Sequence, residues 1–267
     1  MKTPRDLLVV DDEEVITQAV LRVCEADGLT VDVADSAAAA LARLEHGTYR
    51  LIVCDVMMAD VDGFAFLAEM GRRQDHTPVI MSTGMSTMEN AVRALNSGAI
   101  DFVPKPFTAD ELLTAVRRGM NYAKLQHAAA AMPGTLPDSI AWVPCPPDYY
   151  RLGFSSWLVQ EPAGTVKVGV TDLFLKTLDA VQLATLSAAG YDVVQGASCA
   201  VLTAMGGLEH SVLSPVTGRI VETNRAVAAA PAVMERDPYF EGWLYRVLPS
   251  ELQYDLQHLT ACSSDRL

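Results

Sequence analysis

Long apolar runs, paired cysteines and a surplus of positive charge are all missing from this 267-residue chain. No apolar run reaches the roughly 18 to 20 residues needed to span a bilayer, so no membrane span is expected. The five cysteines, Cys24, Cys54, Cys145, Cys199 and Cys262, are scattered and form no CxxC pair. That excludes a zinc framework of the usual spacing and argues against a disulfide scaffold; reduced, mostly buried thiols of a cytoplasmic protein are the expectation. The opening MKTPRDLLVV runs straight into an apolar strand with no small-residue cleavage site, which reads as no secretion signal. Lysine and arginine number 20 against 33 aspartates and glutamates, a net charge of −13. Neither part of the chain is basic: 12 basic residues face 19 acidic ones up to residue 126, and 8 face 14 beyond it. The densest basic clusters are the pairs Arg72-Arg73 and Arg117-Arg118. A nucleic-acid partner is therefore not expected.

What is present is alternation. Short β-compatible runs, Leu7 to Val10, Val31 to Ala34, Leu51 to Cys54, Val79 to Met81 and Phe102 to Val103, are separated by amphipathic stretches. Those stretches are Glu13 to Ala26, Ala37 to Leu44, Phe64 to Arg72, Met88 to Asn96 and Ala109 to about Gln126. Strand-helix alternation predicts a doubly wound, five-stranded parallel sheet with helices on both faces. In such a sheet ligands sit outside the carboxyl ends of the strands. A linker is expected over 127–147, where Pro133, Gly134 and Pro137 stop the helix and Pro144, Pro146 and Pro147 keep the chain extended. From residue 148 to 267 the pattern changes to short β-type runs punctuated by Gly and Pro. Only Asp172 to Leu178 and Ser250 to Leu259 read as helical there, so this is expected to be a mainly β domain.

The chemistry concentrates at the ends of the first five strands. LLVVDDEE sets Asp11 and Asp12 at the first strand's exit, and LIVCDVMMADVDGF sets Asp55 at the third's. Three carboxylates at neighbouring strand ends repel one another and call for a hard, oxygen-preferring cation such as Mg²⁺. Ser82-Thr83 end the fourth strand and Lys105-Pro106 follow the fifth, a hydroxyl and an ammonium able to hold phosphoryl oxygens at the same rim. A lone acidic loop is usually only solvated; this combination in this order is not.

The pieces VVDDEE, CDVMMADVDGF, PVIMSTG and GAIDFVPKPF resemble the receiver domain of the chemotaxis and response-regulator family, a flavodoxin-like fold, across nearly all of residues 5 to 126, and a receiver domain is expected over 1–126. The resemblance implies that Asp55 accepts a phosphoryl group from a sensor histidine kinase or a phosphotransfer protein. It implies that Asp11, Asp12, Asp55 and the backbone carbonyl of Met57 hold Mg²⁺. Thr83 is then the switch hydroxyl, Lys105 the partner of a phosphoryl oxygen, Phe102 the switch aromatic, and the Lys105-Pro106 bond cis. Met57 and Met85, at the positions that govern dephosphorylation, are apolar and offer nothing to orient water, which implies a long-lived phosphorylated state.

From Tyr149 to about Leu259, the segments SSWLVQE, TVKVGVTDLFLKTLDAV, LSPVTGRIVETN and DPYFEGWLYRV resemble the H protein of the glycine cleavage system, a lipoyl-type barrel-sandwich. The family's lipoyl lysine stands eight residues before the proline of SPVTG. That position is Gly207, and the residue after Met205, where biotin carriers place lysine, is Gly206. The domain's lysines, Lys167 and Lys176, lie on other elements. Neither lipoate nor biotin is expected, and the domain reads as an interaction module for a protein target that one chain does not name. His210 near the turn is expected to be a surface or structural residue rather than a base, and Trp157, Trp243, Tyr239 and Phe240 are expected to be packing. The signalling reading competes with a regulator of glycine or lipoate metabolism related to lipoyl carriers, and with a phosphorelay scaffold.

Overall fold

A computed structural model of the chain describes residues 4–59, 61–84, 87–131 and 142–263. Two compact units divide it, the first drawn from residues 1–131 and the second built mainly from residues 132–267.

The first unit alternates β1 (Pro4–Val10), α1 (Glu14–Ala26), β2 (Val31–Ala34), α2 (Ala37–His46), β3 (Thr48–Asp55), α3 (Gly63–Arg72), β4 (Val79–Thr83), α4 (Met88–Asn96), β5 (Asp101–Pro104) and α5 (Ala109–Ala131). All neighbouring strands run parallel, in the order β2-β1-β3-β4-β5. The strands are apolar because both faces are covered: Leu7, Leu8, Val9 and Val10 on β1 and Leu51, Ile52 and Val53 on β3 are nearly inaccessible to solvent. Leu7, Val9, Leu51, Val53 and Ile80 pack with Val20 and Cys24 of α1 and with Leu112 and Val116 of α5. Local signals set the helix starts: Ser36 and Asp62 accept hydrogen bonds from Ala39 and Ala65 and so cap α2 and α3. The alanines after Gln126 carry α5 on to Ala131.

The second unit holds β6 (Tyr150–Leu152), β7 (Ser156–Gln160), β8 (Val166–Val170), α6 (Asp172–Thr177), β9 (Val181–Leu186), β10 (Asp192–Val193), β11 (Ser198–Ala204), β12 (Glu209–Leu213) and β13 (Gly218–Thr223). It continues through α7 (Arg225–Ala229), α8 (Ala232–Arg236), β14 (Trp243–Pro249), α9 (Leu252–Leu256) and β15 (Thr260–Ala261). Its strands make a seven-stranded sheet, β10-β13-β14-β8-β7-β6-β15, and a three-stranded one, β12-β11-β9, with antiparallel neighbours. Leu158, Val168, Leu202, Val212, Ile220 and Leu244 from both sheets fill the space between them. Three helices depart from the sequence expectation. α7 and α8 are five residues each, too short for helical periodicity to register, and α7 forms because Asn224 caps it by accepting from Ala226. The helix expected over Ser250 to Leu259 shrinks to α9.

Candidate functional site

Parallel strands of matched register bring the functional groups of the first unit to one rim. Asp11 directly follows β1, Asp55 ends β3, Thr83 ends β4, and Lys105 directly follows β5. Register pairs Asp55 with Ser82 and Thr83 with Pro104, so these strand ends are level with one another. The loop after β3 returns tightly, with Gly63 N–H donating to the Val56 carbonyl. A Cβ on Gly63 would lie 2.2 Å from the Asp55 carbonyl oxygen, so only glycine lets α3 start this close to the acidic site.

Oxygens of Asp11, Asp12 and Asp55 all lie within 4.8 Å of one another. Asp11 and Asp55 are buried, at 4% and 2% exposure, while Asp12 is exposed. Lys105 reaches into this cluster. Its Nζ is 2.7 Å from Asp11 Oδ2, 3.2 Å from Asp55 Oδ1 and 3.3 Å from Glu13 Oε1. Asp12 holds the loop beyond Asp55 by accepting from Ala59 N–H at 2.9 Å. Asp11 Oδ1 accepts from Glu13 N–H at 3.0 Å. The Lys105-Pro106 peptide is cis, and Lys105 N–H donates to the Thr83 carbonyl at 2.8 Å.

The electrostatics follow from burial. Burial pushes the Asp55 carboxyl above its ordinary value; the Lys105 charge pulls it down, and the Asp11 charge adds to the rise. Burial alone would lower the Lys105 ammonium, but the hydrogen bond and charge of Asp11, and then Asp55, outweigh it and hold it above the usual lysine range. Met57 N–H also donates to the Asp55 carboxylate. Among the described residues, Ser82 Oγ is buried without a hydrogen bond, and the buried Asp55 Oδ1 has the Lys105 ammonium 3.2 Å away as an ion pair but accepts no further hydrogen bond. Three carboxylates converging at this spacing, one of them with a buried oxygen held by an ion pair alone, have the donor set of a hard divalent cation. The residues present fit such an ion. Thr83 is buried and Phe102 half-buried on the neighbouring strand, while the Met57 side chain is exposed. Met85 lies outside the described residues. Sequence reasoning did not find Glu13 as a partner of Lys105: 92 positions separate them, and no motif marks the contact.

Polarity in the second unit is disposed differently. Gln195 donates to the carbonyls of Pro215 and Asp255 at 3.0 and 2.9 Å, and Asp255 accepts from Thr217 N–H at 2.7 Å, which fixes the SPVTG turn. Asn224 donates to the carbonyls of Glu241 and Trp243. Trp157, fully buried, donates to the Val170 carbonyl and lies over Gly169, where a Cβ would sit 2.3 Å from the indole. Tyr149, Trp157 and Tyr239 pack together with ring centres 5.0 to 6.1 Å apart. The packing reading suits Trp157 and Tyr239, but Phe240 is 69% exposed. Trp243 is half-buried beneath Arg246. His210 is buried on β12 rather than at the surface.

At the β11-β12 tip, Ala204 accepts from Gly207 N–H and donates to the Leu208 carbonyl. Gly206 and Gly207 have φ of 89° and 83°, and a Cβ on either would meet open space. The obstacle to a lysine there is thus the left-handed backbone, which costs a side-chain-bearing residue roughly 1–2 kcal/mol.

Comparison with known proteins identifies the two parts. Residues 7–117 match the response regulator receiver domain. Residues 149–265 match the glycine cleavage H-protein. The chain therefore joins a response-regulator receiver to an H-protein-like domain. The transcriptional regulatory protein TcrA of Mycobacterium tuberculosis is 36% identical over 111 residues, 42% of this chain and 44% of that protein. The transcriptional regulatory protein ZraR of Salmonella typhimurium is 36% identical over 144 residues, 51% of this chain and 32% of that protein. The chain spans less than half the length of these curated relatives. A crystal structure of a glycine cleavage system H protein from Mycobacterium marinum is 31% identical, with a TM-score of 0.37, over 40% of this chain and 87% of that one. No helix among the described residues is long and apolar enough to cross a membrane.

Proposed function

We propose that this chain is a cytoplasmic two-component response regulator whose phosphoacceptor is Asp55, the donor being a phosphohistidine of a sensor kinase or phosphotransfer protein. The observation that carries the reading is the convergence of Asp11, Asp12 and Asp55 with Lys105 at the carboxyl ends of β1, β3 and β5. Asp55 is the member of the cluster that ends a strand, and among the described residues its buried Oδ1 is held by the Lys105 ion pair alone. A carboxylate oxygen of Asp55 bonds to phosphorus, the phosphorus–nitrogen bond breaks, and the imidazole leaves with its electron pair. Lys105 draws charge from a phosphoryl oxygen, and Thr83 supplies a hydroxyl to another. Asp11, Asp12, Asp55 and the Met57 carbonyl would hold Mg²⁺, which would supply further charge neutralisation when bound. Apart from this self-directed phosphotransfer and the hydrolysis of the resulting aspartyl phosphate, the chain carries out no metabolic reaction.

In this reading the receiver spans residues 1–126, a linker 127–147 and the H-protein-like domain 148–267. Phosphorylation favours a state in which Thr83 bonds the phosphoryl group and Phe102 fills the vacated space, and the H-protein-like domain changes its association with a protein target. It does so without lipoate, because Gly206 and Gly207 occupy the positions where a carrier needs lysine. Nucleic acid is not the target, in keeping with the excess of acidic over basic residues after position 126. Acetyl phosphate treatment with and without chelator tests the proposal. Mg²⁺-dependent, acid-labile labelling that vanishes in Asp55→Asn is expected. Equal labelling of Asp55→Asn, or indifference to chelator, would overturn it.

A further inference from the structure

Resting on the receiver reading, we infer that Glu13 is a positioning residue that competes with the incoming phosphoryl group for Lys105. Lys105 has three donor hydrogens and three carboxylate neighbours: Asp11 at 2.7 Å, Asp55 at 3.2 Å and Glu13 at 3.3 Å. Two of these neighbours are fixed, because Asp11 and Asp55 are buried on strand ends. Glu13 is different. Its side chain is 62% exposed, and it makes no capping hydrogen bond to α1 although it occupies the position before that helix. Its backbone is held, since its N–H donates to Asp11 and its carbonyl accepts from Ile16 and Thr17. Only the carboxylate is left free to swing.

A phosphoryl oxygen on Asp55 needs a donor from Lys105. Asp11 stays in the buried cluster and Asp55 keeps the phosphoryl group itself beside Lys105, so the partner that passes to water at little cost is Glu13. The ion pair thus holds Lys105 in the resting state and must break before the phosphoryl group is fully held. Losing it should accelerate phosphorylation and tighten the binding of a phosphoryl mimic.

Glu14 provides the control. It carries the same charge one residue further on, in the first turn of α1. Glu13→Gln and Glu14→Gln remove equal charge from the rim, so a difference between them isolates the contact with Lys105 from general repulsion of anionic donors. With the full chain and Mg²⁺, Glu13→Gln is expected to raise the acetyl phosphate labelling rate and the beryllofluoride affinity about two- to five-fold, the range of a partly exposed ion pair. Glu14→Gln should change neither by as much as two-fold, and the Glu13→Gln advantage should shrink in high salt. Equal effects of the two substitutions, or no effect of Glu13→Gln on beryllofluoride affinity, would overturn the inference while Asp55-dependent labelling kept the receiver reading intact. Labelling that persists in Asp55→Asn would overturn both.

Discussion

The two units use buried polar groups in opposite ways. In the second, Asn224, Gln195, Asp255 and Trp157 direct their polar atoms to backbone groups, and the hydrogen bonds close on themselves. Ser155 Oγ is the buried side-chain atom left without a hydrogen bond among that unit's described residues. In the first unit, two carboxylates and an ammonium are buried at one rim, where among the described residues Asp55 Oδ1 is met by the Lys105 ion pair alone. Burying charge is expensive unless it is paired. A fold retains an incompletely satisfied acidic cluster when something else completes it. Closed networks mark scaffolding; open ones mark chemistry.

The sharpest way to break this comparison is to remove a polar group from each side. Lys105→Ala should reduce acetyl phosphate labelling by about 100-fold, the scale of losing one charge-stabilising donor from a transition state. Urea unfolding of the H-protein-like domain should not change. A variant that labels at the wild-type rate would place Lys105 outside the chemistry.

Asn224→Ala is the reverse case. It deletes two hydrogen bonds to the carbonyls of Glu241 and Trp243 and the cap on α7, all at a buried position. A loss of about 2–4 kcal/mol in the second unit's unfolding free energy is expected, with labelling of Asp55 unaffected. A loss below about 0.5 kcal/mol would show that this network contributes little.

A smaller effect concerns Asp172, buried at the start of α6 and accepting from Val143 N–H at 2.6 Å. Burial holds its carboxyl above the ordinary aspartate range, although the Val143 N–H and the Lys176 charge pull it down. With the folded pKa above the unfolded one, the folded state takes up the proton first as pH falls. Acidification through that window therefore favours folding at this site, and the cost of the buried charge is present above it. Asp172→Asn keeps an acceptor for Val143 without the charge. It should be at least as stable as the wild type near neutrality, with the advantage shrinking as pH falls towards the ordinary carboxylate range. Denaturant titrations at several pH values check this, and an advantage that grows on acidification would reverse the assignment. Smallest of all, intact mass after co-expression with lipoylation enzymes should equal that of the bare chain. An adduct on Lys167 or Lys176 would contradict the reading of the hairpin tip.

Legibility in the sequence also divided between the two halves. In the parallel unit, each strand is a buried apolar run bounded by a helix signal. Val31–Ala34 and Met88–Asn96 coincide with their sequence expectations, and the other elements differ only at their ends. The site was readable because parallel strands carry motif residues to a common rim, so order along the chain becomes proximity. In the antiparallel unit the strands are harder to read from sequence: VQLATL of β9 and EHSVL of β12 mix polar outward positions with few apolar inward ones, and β10 and β15 are two residues each. The Glu13–Lys105 pair was hidden for another reason. A contact between an exposed side chain and a residue 92 positions away leaves no spacing to detect.

On the proposed function, the open network of the first unit serves to phosphorylate one residue. Reduction of the acetyl phosphate-treated protein with borohydride converts an aspartyl phosphate to homoserine, which peptide mass spectrometry locates by position. Homoserine at position 55, formed only when Mg²⁺ is present, is the predicted result. Homoserine at position 11 or 12, or none under conditions where acid-labile label is incorporated, would contradict the account.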